Sequence, residues 1–184
     1  MRLHEMLANI LDSTLEYVRT ERIAAILIPI VNSEHPEIVM IKRKKTLSRS
    51  AGHIAFPGGM KDEDESPVDT ALRETEEEIG VDAEEVEVLG FLTPQEVIEH
   101  RIKIHPVVGV IDKAEFVIND AEVDRVLVDR LDLVLKSRRI ADWGPNFECD
   151  GELVWGASSR ILDDLYMRII RNFGGIDAFF ERLG

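Results

Sequence analysis

Residues 23–31, Ile-Ala-Ala-Ile-Leu-Ile-Pro-Ile-Val, are uniformly apolar and rich in β-branched side chains. A run this short reads as a strand, and a strand with no polar face belongs inside a covered sheet. Asn32 to Pro36 follows as a turn, and EIVMIKR at 37–43 reads as the second strand of a hairpin. Further strands are expected at 86–93, 102–111, around Arg125–Val128, and at 152–156 (ELVWG). Helices are expected at 3–19, where Leu3, Met6, Leu7, Ile10, Leu11, Leu15 and Val18 recur at three and four, and at Leu131–Leu135. Two more, Ser158–Asn172 and Ile176–Arg182, follow a loop through 141–150. A chain of 184 residues suits one domain spanning 1–184. Mixed strands and helices predict an α/β (α+β) fold, an α/β/α sandwich around a mixed sheet rather than repeated parallel βαβ units.

Charge narrows the function. The formal net charge is −14, which argues against a protein that grips nucleic acid, because phosphate binding runs on Lys and Arg. A small anionic substrate remains compatible, since a metal ion can bridge an acidic site to a phosphate. Lys42-Arg43-Lys44-Lys45 and Arg49 form a basic stretch that could equally be a solvated loop. No apolar run approaches the roughly 20 residues of a membrane span. The amino terminus lacks the basic start and unbroken apolar stretch of a secretory signal, so a cytoplasmic protein is expected, with no membrane partner. The amphipathic first helix could cover the core or join a homodimer interface. A single cysteine, Cys149, excludes an intrachain disulfide, and no matched histidine nearby supports it as a nucleophile.

The segment 66–80 carries its own punctuation. Ser66 is a good N-cap, Pro67 takes the first helical position, Asp69 lies in the first turn, and Gly80 stops the helix. Glu74, Glu77 and Glu78 stand at i, i+3 and i+4, so three carboxylates share one face. Val68, Leu72, Thr75 and Ile79 fall on another and can pack against the sheet. The like charges repel by a few tenths of a kcal/mol per pair, and they crowd the negative end of the helix dipole. A solvated acidic face would explain them. So would a site for a hard cation, Mg²⁺ or Mn²⁺, which takes carboxylate oxygens and keeps waters for substrate phosphates. A calcium loop at 61–65 lacks the glycine and terminal glutamate of EF-hand spacing.

From Gly59 through Glu65, Arg73-Glu74, Glu77-Glu78 and Gly80 to Val81, the chain resembles the box that marks Nudix hydrolases, in register at every fixed position. Thr75 departs, standing where the box prefers a bulky aliphatic. The resemblance implies an α/β/α sandwich and attack of a metal-activated water on a phosphorus of a nucleoside diphosphate derivative. It implies Glu74 and Glu78 as ligands of Mg²⁺ or Mn²⁺, Glu77 as a further ligand or metal-water contact, and the Gly58 carbonyl as a backbone ligand. Glu77, Glu78 and Glu122, the last ahead of a strand, are the catalytic candidates. Arg73 and Glu65 would pair to hold loop and helix in register. Gly59 and Gly80 would be structural.

The flanks point to a substrate. Leu47 to Gly59 resembles the motif before the box in the coenzyme A pyrophosphatase branch, as do HPVVGV (105–110) and GELVWGASSRIL (151–162). Ser48 stands where that branch has Arg, with Arg49 one place late, and Ile41 stands where Thr is usual. The resemblance implies hydrolysis of coenzyme A or acyl-coenzyme A to 3′,5′-ADP and 4′-phosphopantetheine. Arg43, Arg49 and His53 would meet substrate phosphates, although His53 could instead hydrogen-bond within its loop. Trp143 and Trp155 are expected as core or loop anchors rather than base-stacking platforms. Rival readings keep the chemistry for ADP-ribose, a dinucleotide or a nucleoside triphosphate, or drop it for a non-catalytic nucleotide-binding module.

Overall fold

The computed structural model describes residues 2–19, 21–46, 51–112 and 115–183. Among them, β1 (Ile23–Val31), β2 (Glu37–Arg43), β3 (Ile54–Ala55), β4 (Gly58–Met60), β5 (Glu87–Phe91), β6 (Gln95–Val97), β7 (Ile102–Ile111) and β8 (Val123–Arg130) form one mixed sheet. Its path runs β3-β2-β1-β7-β5, with β4 also on β1, β6 on β7 and β8 on β2. β1 and β7 pair in parallel, from Ile23 opposite Lys103 to Val31 opposite Ile111. The other pairs are antiparallel.

The apolar character of β1 is explained by cover on both faces. Ile28 and Ile30 join Ile38, Met40, Val108 and Val110 in a core closed by α1 (Leu3–Ala8), α3 (Leu131–Lys136), α4 (Ala157–Phe173) and α5 (Ile176–Glu181). Ala25, Leu27 and Val31 face the other way, where α2 (Pro67–Ile79) contributes Ala71 and Ile79. The sheet therefore lies between helices, with α2 alone among these helices on its side. Each large side chain so buried contributes about 1.5–3 kcal/mol.

Pro29 sits inside this central strand, where a proline should cost a ladder bond. Alternate residues of a strand address the same neighbour. Leu27 sends its amide to the Pro57 carbonyl at 2.9 Å, so Pro29 addresses that same side. There β1 changes partner, from β4 at Ala24–Ile26 to β2 at Ile30–Val31. The missing amide falls at the change, next to the place where Leu27 meets Pro57.

Two expectations need correction. The helix expected at 3–19 ends at Ala8. Met6, Leu7, Ile10 and Leu11 are buried, but Asp12 then exchanges backbone hydrogen bonds with Phe91 at 3.0 and 2.9 Å. Arg168 holds this bend, donating to the Ile10 carbonyl at 2.9 Å and to Asp12 at 2.8 Å. Beyond it Val18 is 54% exposed, so apolar spacing continues without a core to meet it. The loop expected at 141–150 is instead part of an antiparallel meander of β9 (Arg139–Ala141), β10 (Gly144–Cys149) and β11 (Glu152–Val154). Phe147 and Cys149, two apart on β10, and Val154 on β11 are its buried residues.

Candidate active site

Local chemistry sets α2 as expected. The Ser66 hydroxyl accepts the Asp69 amide at 3.1 Å, and the Asp69 carboxylate accepts the Ser66 amide at 2.9 Å. Gly80 closes the helix at φ 71°, ψ 28°, a left-handed conformation that suits glycine. The last carbonyls find partners: Gly80 donates to Glu76 at 2.9 Å, Val117 to Ile79 at 2.9 Å and Asn119 to Glu78 at 3.0 Å. Ala71, Thr75 and Ile79 are fully buried, with Val68 and Leu72 packed beside them. The Thr75 hydroxyl, in the slot that departs from the box, donates to the Ala71 carbonyl at 2.7 Å. β4 passes close to the helix: a methyl on Gly59 would run into the Glu74 carboxylate.

The three carboxylates do not form one solvated face. Glu77 is 52% exposed, Glu74 16% and Glu78 1%. Glu78 sits against the sheet, accepting the Gly58 amide at 2.9 Å and facing an Arg43 guanidinium nitrogen at 3.4 Å. Burial pushes its carboxyl up to about 7, opposed by the Gly58 amide and Arg43 and reinforced by repulsion from Glu74 and Glu122. Glu74 is also pushed up, by burial first, with Arg73 opposing and Glu77 and Glu122 adding repulsion. Glu122, just before β8, thus adds negative charge on the side of Glu74 and Glu78. Its carbonyl accepts the Lys44 amide at 2.9 Å, which ties it to the end of β2.

Arg73 binds Glu65 through both its Nε and Nη2 groups, and its Nη1 donates to Glu74 at 2.8 Å and Glu77 at 3.2 Å. This guanidinium holds the Glu65 carboxyl down to about 2, far below its ordinary range. Thr70 adds a hydroxyl to Glu65 at 2.8 Å. Residues 62–65 are therefore tied to the helix through Glu65, by Arg73 and Thr70.

The basic stretch divides by strand alternation. Lys42 points to Glu152 at 2.7 Å, whereas Arg43 points to Glu78 and keeps a buried Nε with no partner among the described residues. The Arg43 amide donates to the His53 carbonyl at 3.0 Å. The His53 ring lies against Trp155, centroids 4.6 Å apart, and makes no side-chain hydrogen bond among the described residues. Trp155 is 46% exposed rather than core, and Trp143 is exposed in the β9–β10 turn. An alternation was readable there: Leu153 and Trp155 out, Val154 in. Arg49, with the rest of 47–50, lies outside the described residues. Gly58 contributes its amide to Glu78. The Cys149 thiol is buried and pushed up to about 12, by burial and then by Asp129 and Asp150, so it is no nucleophile near neutrality.

The donor set is of the kind hard cations prefer, carboxylate oxygens partly withdrawn from water. Among the described residues, no three His, Cys, Asp or Glu side chains are gathered closely enough to chelate an ion as they stand. Arg73 and Arg43 occupy the oxygens instead.

A NUDIX domain pattern matches residues 20–146. The chain belongs to the Nudix family. It is 32% identical over 173 residues to an uncharacterized Nudix hydrolase NudL of Pectobacterium atrosepticum, covering 86% of this chain and 88% of that protein. The NudL of Yersinia pestis is also 32% identical, over 88% of this chain and 86% of the relative. Among solved structures, a MutT/nudix family protein of Enterococcus faecalis aligns with TM-score 0.58 at 16% identity, over 100% of this chain and 75% of that one. The NUDIX domain of Shewanella oneidensis NrtR, solved with ADP ribose, aligns with TM-score 0.58 at 17% identity, over 92% and 99%. These neighbours share the Nudix fold, with its mixed sheet and flanking helices, and the chain is a hydrolase of that family. No helix among its described residues is long and apolar enough to cross a membrane.

Proposed function

We propose that this Nudix hydrolase cleaves the pyrophosphate of coenzyme A or an acyl-coenzyme A, giving 3′,5′-ADP and 4′-phosphopantetheine. The observation that carries the chemistry is Glu78: a carboxylate 1% exposed, with Glu74 and Glu122 close enough to raise its pKa further. Such a cluster is costly in the protein alone and becomes favourable around a cation. Glu74 and Glu78 would hold Mg²⁺ or Mn²⁺, with Glu77 and the Gly58 carbonyl as further contacts. The ion would supply activation of the attacking water and neutralisation of charge on the phosphate oxygens.

The chain's own groups then have distinct tasks. Glu122 takes the proton of the attacking water, with Glu77 and Glu78 completing the carboxylate set. The Glu65–Arg73 pair keeps residues 62–65 against α2. For Glu74 and Glu77 to turn toward a cation, Arg73 must release them while keeping Glu65, which holds it through two nitrogens. Arg43, whose Nε lacks a partner among the described residues, is placed to meet a substrate phosphate, with Arg49 and His53 as further contacts.

The choice of coenzyme A rests on the likeness of residues 47–59, 105–110 and 151–162 to that branch. A substrate panel with Mg²⁺ and with Mn²⁺, read by product identification, tests it. Release of 3′,5′-ADP and 4′-phosphopantetheine is the expected result. Turnover of ADP-ribose, a dinucleotide or a nucleoside triphosphate, with none of coenzyme A, would overturn the substrate and leave the chemistry. Hydrolysis of nothing in the panel would favour a nucleotide-binding module.

A further inference from the structure

We propose that Trp155, backed by His53, is the platform on which the nucleobase of the substrate stacks. This deepens the hydrolase reading above and rests on it.

The placement comes from the strands. Arg43 ends β2 and faces Glu78 at 3.4 Å, which puts its guanidinium at the carboxylate cluster. Its backbone amide donates to the His53 carbonyl at 3.0 Å, so His53 lies one interstrand spacing away, about 4.8 Å. The His53 ring in turn lies 4.6 Å from Trp155, tilted by 58°. Arg43, assigned above to a substrate phosphate, therefore sits opposite the residue that carries the aromatic contact, across one strand pair. A nucleotide makes the same juxtaposition, with a ribose between its charged and its flat end.

The surroundings of Trp155 leave room for a ligand. It remains 46% exposed despite the His53 contact, so indole surface is still open to solvent. Gly156, which follows it, borders open space: a methyl built there would meet nothing within 4 Å. Val154, the preceding residue, is fully buried, which anchors the end of β11 and fixes where the indole emerges. Every base presents a π-face, so such a platform contributes affinity without selecting the base by hydrogen bonds.

Two measurements test this. Trp143 is replaced by Phe, leaving Trp155 as the tryptophan emitter, and fluorescence is titrated with AMP and with ribose 5-phosphate in the presence of Mg²⁺. AMP should quench Trp155 saturably, and ribose 5-phosphate at equal concentration should not. Separately, Trp155→Ala should raise KM for the best panel substrate about tenfold, the lower part of the loss for one base–aromatic stack, with kcat changed far less. Trp155→Leu keeps the apolar bulk without the π-face and should show the same KM rise, which guards against a fold effect in the alanine variant. Equal quenching by the two probes, or an unchanged KM in the leucine variant, would overturn the platform. Neither result touches the proposed cleavage of coenzyme A, which stands or falls on the panel.

Discussion

Residues 3–19 and 66–80 show the same three-and-four apolar spacing, and only the second became the helix that the spacing describes. The difference is punctuation. Ser66, Pro67 and Gly80 satisfy the ends of α2 locally, and residues 117–119 complete the last turn. The first segment has no stop signal of that kind, and it ends at Ala8 because Asp12 pairs with Phe91 and Arg168 grips the bend. Periodicity says which side chains seek a core. Caps say where a helix begins and ends. Only the surrounding structure says whether a core is there.

The largest effect should come from the capped helix. Glu78→Gln is expected to lower kcat by about 10²–10⁴-fold, in the range for a group acting directly on proton transfer or developing charge. The same variant should melt higher than the wild type in chelator at pH 8, because it removes a buried charge repelled by Glu74 and Glu122. Undiminished turnover would remove Glu78 from the site.

Next in size is a contrast inside the first segment. Leu7→Ala, at a fully buried position, should cost about 2–5 kcal/mol in denaturant unfolding. Val18→Ala, at an exposed one, should stay within about 0.5 kcal/mol. Equal costs would mean that the helical spacing continues usefully past Asp12.

The Glu65–Arg73 tie should show in pH dependence. The Glu65 carboxyl falls from an ordinary 4.5 to about 2, so its contribution is complete above pH 4.5 and is lost as pH falls toward 2. Glu65→Gln should cost about 1–2 kcal/mol near neutrality, the pair being partly exposed, and its gap from the wild type should narrow below pH 4.5. A gap independent of pH would show that packing, not charge, is what the glutamate contributes. The smallest of these effects is Ser66→Ala, about 1 kcal/mol for a lost N-cap. A cost near zero would mean that packing alone holds α2, which would weaken the contrast between the two segments.

Much of the fold was legible. β1, β2 and β7 lie where the apolar runs placed them, and α4 and α5 follow their periodicity closely. β10 was missed because turn-forming Gly144, Pro145 and Asn146 hid the Phe147–Cys149 alternation behind them. At the site, the identity of the carboxylates was readable and their differing states were not. Helical spacing shows that Glu74, Glu77 and Glu78 are neighbours, but the sheet beneath decides that Glu78 is buried and Glu77 exposed.

By itself, then, the sequence determined the limits of α2, the acidic chemistry on it and the family to which the chain belongs. Those depend on contacts within a few residues: caps, helical spacing and a registered motif. Tertiary structure alone decided that Arg43 meets Glu78, and that Trp155 emerges beside His53 instead of entering the core. Each of those depends on which strands lie side by side and in what register, and that is set by covering both faces of the sheet at once.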